Sequence, residues 1–209
     1  MLLLVRHGES MANSGRITTD FATIELTSKG RAQAAAVATA CPGRPDQVVL
    51  SSYLRARQTS EPLLEKYPGV KVFESQVHEF TYLSRDRCND TDIVRRQPMV
   101  DAYWNRMDPN YRDGIGAESF VDLLQRTKLF LAEVQGWTGL SVVFTHEQFI
   151  RSMVLASFYN GGSDSAQMRR FFAMRTGLPI PNGGIVHLDY RVGRWWIGGI
   201  DDSHVREIT

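Results

Sequence analysis

The chain has 209 residues, 43% of them hydrophobic and 22% charged, with a formal net charge of +1. That composition suits one folded domain and excludes a disordered chain, and the near-neutral sum excludes a dedicated nucleic-acid binder, which needs a basic excess over phosphate. No apolar run approaches the ~18 residues of a membrane span, and Cys41 and Cys88 lack the spacing of a zinc site, so a cytoplasmic protein with no membrane or nucleic-acid partner is expected.

In chain order, Leu2 to Val5 reads as a first, buried strand. Thr27 is an N-cap candidate for a helix through the alanine-rich stretch to about Ala40. Val48 to Leu50 reads as a second strand, Leu54 to Lys66 as a helix, and Val70 to Phe73 as a short third strand. Residues 81–117 are polar, arginine-rich and weakly periodic, with Pro98, Pro109 and Gly114 as breakers, and read as an inserted lid segment. From Glu118 the helical period returns, with Phe120, Leu123, Leu124, Thr127, Leu131 and Val134 on one face. Ser141 to Thr145 reads as another buried strand, followed by a helix to about Tyr159. Ile185 to Tyr190 and Arg194 to Gly198 read as a hairpin turning at Val192-Gly193. Strands alternating with helices predict an α/β fold, a three-layer α/β/α sandwich with a mostly parallel central sheet.

Polar groups gather just after the strands. The first strand delivers Arg6-His7-Gly8-Glu9-Ser10, the second delivers Ser51 to Arg55, and Val142-Thr145 delivers His146. In a parallel sheet these carboxyl ends share one edge, where ligands bind. Two histidines and two arginines at one edge, with no carboxylate cluster, suit an anion better than a metal. No G-x-S-x-G elbow is present for a serine hydrolase. Phosphoryl chemistry by a histidine nucleophile remains. Arginine is also the dominant cation: of 24 basic residues only Lys29, Lys66, Lys71 and Lys128 are lysine.

Four ordered blocks carry a resemblance. They are Arg6-His7-Gly8-Glu9-Ser10 with Asn13; Leu26-Thr27-x-x-Gly30-x-x-Gln33-Ala34; Ser51-x-x-x-Arg55-Ala56-x-Gln58-Thr59; and Val142 to His146 with Ile150-Arg151. A Pro181-Asn182-Gly183-Gly184 turn follows. Together they resemble the histidine phosphatase superfamily, the phosphoglycerate-mutase-like proteins, in its small phosphatase branch. The resemblance implies one such domain over residues 1–209. It implies that His7 becomes a phosphohistidine and that Arg6, Arg55 and His146 form the positive pocket around the phosphoryl group. It implies that Asn13, and more weakly Ser10, hold substrate or phosphate, and that Glu79 protonates the leaving oxygen. It implies neither cofactor nor metal, and a small phosphorylated substrate.

Two features depart from the family pattern. Glu147 follows His146 where glycine is common, which makes Glu147 a phosphate-side residue and a rival proton donor to Glu79. Phe80-Thr81-Tyr82-Leu83 replaces the glycine-rich run after the acid. The arginines of residues 81–117 read as a solvated face, or, more sharply, as one or two ligands for a second anionic group. Asn182 reads as shaping a turn, and Trp195-Trp196 as core packing. The expected activity is hydrolysis of a phosphomonoester; the alternatives are a phosphoglycerate-type mutase and a phosphate-binding scaffold that has lost turnover. Natural substrate and oligomeric state stay open.

Overall fold

Alternation within single strands shows how the layers are built. In the computed structural model, which describes residues 1–17, 20–159 and 161–208, strand β1 (Leu2–Arg6) sends Leu2 and Leu4 to one core and Leu3 and Val5 to the other. Strand β2 (Gln47–Leu50) likewise places Val49 opposite to Val48 and Leu50, and β4 (Ser141–Thr145) places Val143 opposite to Val142 and Phe144. Both faces are covered, which is why these strands read as continuous apolar runs. Each fully buried aliphatic side chain contributes about 1.5–3 kcal/mol.

The sheet order is β3-β2-β4-β1-β5-β6. Strands β3 (Lys71–Glu74), β2, β4 and β1 run parallel, whereas β5 (Ile185–Arg191) and β6 (Arg194–Asp201) extend the sheet antiparallel beyond β1. The sheet is therefore mostly parallel, as expected. Helices α1 (Ser28–Ala40) and α2 (Leu54–Lys66) bring Val37, Ala38, Ala56 and Leu63 to one face. Helices α5 (Phe120–Val134), α6 (Glu147–Phe158) and α7 (Ser165–Gly177) cover the other, with Phe120, Leu124, Phe149, Met153 and Phe171 in its core.

The ends of the helices follow capping chemistry. Thr27 accepts a hydrogen bond from Gly30 N–H at 3.0 Å at the start of α1. Ser119 and Asp122 make a reciprocal capping box at the start of α5. Between β3 and α5 lie a one-turn helix α3 (Arg85–Cys88) and the fourteen-residue α4 (Ile93–Arg106). Pro98, expected to break structure, sits inside α4. The helix tolerates the lost N–H because Asp92 caps its start and Tyr103 and Trp104 anchor its far end in the core. Trp196, expected in the core, is half exposed, because β6 is an edge strand with one face in solvent. Helix α7 has no counterpart in the sequence reading. Among the described residues no helix is long and apolar enough to cross a membrane.

Candidate active site

Strand β1 delivers His7 while still bonded across the sheet, since His7 N–H donates to Thr145 O at 3.0 Å. Beyond it the chain passes hard against α1. A Cβ on Gly8 would lie 2.3 Å from Gly30 O, and one on Gly30 would lie 2.0 Å from Glu9 O, so both positions require glycine. Gly8 N–H donates to Thr59 Oγ1 at 3.0 Å, and that hydroxyl donates to Arg55 O at 2.6 Å. Glu9 N–H donates to Gln33 Oε1 at 2.8 Å. On the other side, Asn182 Nδ2 donates to His7 O at 3.0 Å. The backbone carrying His7 is thus held by α1, α2 and the turn before β5.

The His7 ring is buried, and its Nδ1 lies 2.7 Å from Gly8 O. A carbonyl only accepts, so Nδ1 carries the proton and Nε2 carries the lone pair. Arg55 Nε donates to that Nε2 at 3.0 Å, and Arg55 Nη1 donates to Phe21 O at 2.7 Å. Burial, then the charges of Arg55 and Arg6, hold the His7 pKa well below its ordinary value. His146 is fully buried at the end of β4, its ring 5.1 Å from that of His7. Burial, then Arg55 and His7, depress its pKa in the same way. Both imidazoles are therefore neutral at neutral pH.

Ser51 sets the orientation of His146. Tyr53 N–H donates to Ser51 Oγ at 3.3 Å, and among the described residues the one acceptor within reach of the Ser51 hydroxyl is His146 Nε2 at 2.8 Å, so the hydroxyl donates there. His146 Nδ1 is then a donor, and it is buried with no partner among the described residues. Arg6 repeats the pattern. Nη1 donates to Ile180 O, Nη2 stands 3.2 Å from Glu147 Oε2, and Nε is buried without a partner. Two buried, unpartnered donors beside His7 are what an anion with several oxygens would satisfy.

Glu79 lies on the segment after β3. That segment is tied to the sheet by Ser75 N–H to Leu50 O at 3.2 Å and by the Thr145 hydroxyl donating to Val77 O. Glu79 Oε1 accepts from Phe80 N–H at 2.9 Å and from Gln148 N–H, at the start of α6, at 3.2 Å. Burial raises the Glu79 pKa against the opposing pull of the Phe80 N–H and Arg55. A second, buried pair props this segment from behind. Arg126 on α5 donates to Gln76 O at 2.9 Å, to Glu79 O at 3.3 Å, and to Glu118 Oε1 at 2.7 Å. Burial alone would raise the Glu118 pKa, but hydrogen bonds from His78 and Arg126 outweigh it and bring it down to about 2. A cavity of about 260 Å³ opens over Arg55 and Glu79.

His7 is therefore close to Arg55, His146 and Arg6, and Arg55 and Glu79 line the cavity. Asn13 Oδ1 accepts from Ser10 N–H at 3.1 Å, Ser10 Oγ at 2.9 Å and Asn182 Nδ2 at 3.2 Å. Only the Asn13 amide nitrogen is left to face a ligand. The Ser10 hydroxyl, expected to contact substrate more weakly, is buried and donates to Asn13 Oδ1. Glu147 gives one oxygen to Arg6 and the other to Arg151 Nη2, at 2.5 Å. Most of the insertion arginines turn elsewhere: Arg87 pairs with Asp113, Arg112 with Asp122, and Arg106 stacks on Tyr111. Arg96 lines the cavity. The sequence reading placed Ser51 and Thr59 in a motif without giving them a role, and it missed Arg126 and Arg175, whose partners lie far away in the chain. Among the described residues no group of three or more His, Cys, Asp or Glu side chains could hold a metal ion.

A model of the histidine phosphatase superfamily, branch 1, matches residues 2–203. Among solved structures, a phosphoserine phosphatase from Entamoeba histolytica superimposes with a TM-score of 0.72 at 19% identity, covering 98% of each chain. A mycobacterial glucosyl-3-phosphoglycerate phosphatase reaches 0.71 at 24% identity, over 94% of this chain and 96% of its own. A protein titled mycobacterial hydrolase 1 gives 0.71 at 24% identity over 95% and 96%. At these identities the likeness speaks for the fold. No curated protein matches the chain.

Proposed function

The chain belongs to the histidine phosphatase superfamily, branch 1, and from that membership and its pocket we propose that it hydrolyses a small phosphomonoester through a phosphohistidine on His7. The observation that carries this reading is the His7 imidazole, neutral, with its Nε2 lone pair 3.0 Å from Arg55 Nε. A phosphoryl group entering there takes over the Arg55 donor. His7 Nε2 forms a bond to phosphorus as the bond to the alcohol oxygen breaks. Arg6, Arg55 and His146 Nδ1–H stabilise the charge on the phosphoryl oxygens. Glu79, whose pKa burial raises, gives its proton to the departing alcohol. Water then attacks phosphorus, Glu79 takes its proton, the N–P bond breaks, and inorganic phosphate leaves.

Glu79 suits the donor role better than Glu147, whose two oxygens are both held by guanidinium groups. Return transfer, as in a mutase, is not favoured: the structural relatives described above include phosphatases of phosphoserine and glucosyl-3-phosphoglycerate. The reading is tested by 4-nitrophenyl phosphate turnover in wild type and His7→Ala. The variant is expected to lose more than about 10³-fold in kcat/KM, and denaturing gels should show acid-labile phosphate only on the wild type. Comparable turnover by His7→Ala would overturn it.

A further inference from the structure

The cavity continues outward from Arg55 and Glu79 to a wall that is mostly apolar. Phe21, Tyr53, Tyr82, Leu83, Ile93 and Val100 face it. Apart from the Tyr53 and Tyr82 hydroxyls, its polar side chains are largely used up. Thr81 gives its N–H and hydroxyl to Glu118 at 3.1 and 3.2 Å, and Gln97 turns its amide nitrogen to Asp101 at 2.7 Å. Arg96 stacks on Phe21, 5.4 Å from the ring centre, and donates to Thr91 O at 2.6 Å. A ligand rich in hydroxyls would find few partners and would strand its polar groups. The volume of about 260 Å³ falls at the small end of ligand sites.

One cation on this wall differs. Arg175 lies on α7, outside the arginine-rich insertion, and lines the cavity. Its guanidinium packs over Trp104 at 5.1 Å and Phe172 at 5.5 Å. Its carbonyl accepts from Arg151 Nη2 at 3.1 Å, which fixes its turn of helix beside the catalytic pocket. Among the described residues no carboxylate pairs with it, although nearly every other cation around the site has an oxygen partner. The single carboxylate that shares the cavity is Glu79, which is held at the far end by Gln148.

We propose that the alcohol half of the substrate is a small, mainly apolar body, about one ring in size, bearing a carboxylate that Arg175 receives. This rests on the phosphatase reading and narrows its substrate class. A guanidinium stacked on aromatic rings is planar and oriented, which suits a bidentate carboxylate. A second phosphate would need more donors than this one side chain offers. Polyols and bulky nucleotides are disfavoured by the wall and by the volume.

The test compares 4-(carboxymethyl)phenyl phosphate with its methyl ester and with the 4-(phosphonomethyl) analogue. The methylene insulates the phenol, so the leaving groups are closely matched. Wild type is expected to favour the acid over the ester by at least about tenfold in kcat/KM, as charge-assisted hydrogen bonds allow. Arg175→Met should bring that ratio to within about twofold, and Arg175→Lys should keep part of it. Equal use of acid and ester by wild type, or a preference that survives Arg175→Met, would overturn the proposal and leave the phosphatase reading standing. A phosphonate preferred to the carboxylate would overturn the choice of anion. Turnover of none of the three would sink the phosphatase reading and this proposal with it.

Discussion

Glu118→Gln offers a quantitative probe of how the acid-bearing segment is held. The Glu118 carboxylate receives Arg126 Nε at 2.7 Å, Arg126 Nη2 at 3.1 Å, Thr81 N–H at 3.1 Å and the Thr81 hydroxyl at 3.2 Å. These bonds, with His78, take its pKa from 4.5 to about 2 against the opposing effect of burial. A depressed carboxylate pKa gives stability that is present above the unfolded value and lost as pH falls towards the folded one. At about 1.4 kcal/mol per pH unit, the interval from 4.5 to about 2 amounts to about 3 kcal/mol near pH 6. Linkage removes about 2 kcal/mol of this by pH 3. Urea unfolding of wild type and Glu118→Gln at pH 6 and pH 3 reads the difference directly, because the other carboxylates are common to both. The expected gap is about 3 kcal/mol at pH 6, shrinking to about 1 kcal/mol at pH 3. A gap that does not change with pH would refute the reasoning. Arg126→Met, which strands Glu118 with its charge buried, should cost about 3–5 kcal/mol at pH 6.

Glu79→Gln should lower kcat on alkyl phosphates by about 10²–10⁴-fold and much less on 4-nitrophenyl phosphate, whose leaving group needs no proton. Wild-type activity on alkyl phosphates should fall as pH rises through the raised Glu79 pKa, a limb the variant should lack; an unaltered pH profile in Glu79→Gln would remove Glu79 from the donor role. Glu147→Gln frees Arg6 from its carboxylate partner, so inorganic phosphate should inhibit about fivefold more tightly. Unchanged or weaker inhibition would show that Glu147 does not compete with phosphate. Gly30→Ala forces a Cβ to 2.0 Å from Glu9 O; it should lower stability by about 1–3 kcal/mol or more and kcat with it, measured by thermal melts and turnover.

The strand ends were legible because burial on both faces makes β1, β2 and β4 continuous apolar runs, each followed abruptly by polar residues. Helix α1 was legible from Thr27 and its alanines, and α2 was read at its observed ends. Helix α7 was not legible: only Gln167, Met168 and Phe171 of its thirteen residues are buried, so no apolar stripe marks it. With α7 went Arg175, a cation that chain position alone does not connect to the pocket. The second anion-binding arginine was sought in the insertion, where arginines are dense. Arg87 and Arg112 have acids within reach, and among the described residues Arg175 has none. Arg126 and Glu118 escaped notice for a related reason: their joint purpose is to hold residues 76–81, a contact no helical period encodes. Ser10 and Asn182 were read singly, whereas the fold uses both on Asn13.

The strand order has a consequence for how this pocket comes into being. β4 lies between β2 and β1, although it follows both in the chain. Until residues 141–145 are inserted, β1 and β2 have no common neighbour in the sheet. Ser51 N–H and His7 N–H are both bonded to β4 carbonyls, at 3.0 Å each, so the same insertion that joins β1 to β2 sets the two halves of the site. Such late, non-local closure carries a loop-entropy cost and slows folding. The residues after β2 and β1 thus depend on one later strand for their common frame, and β5 then closes the sheet on the other side of β1.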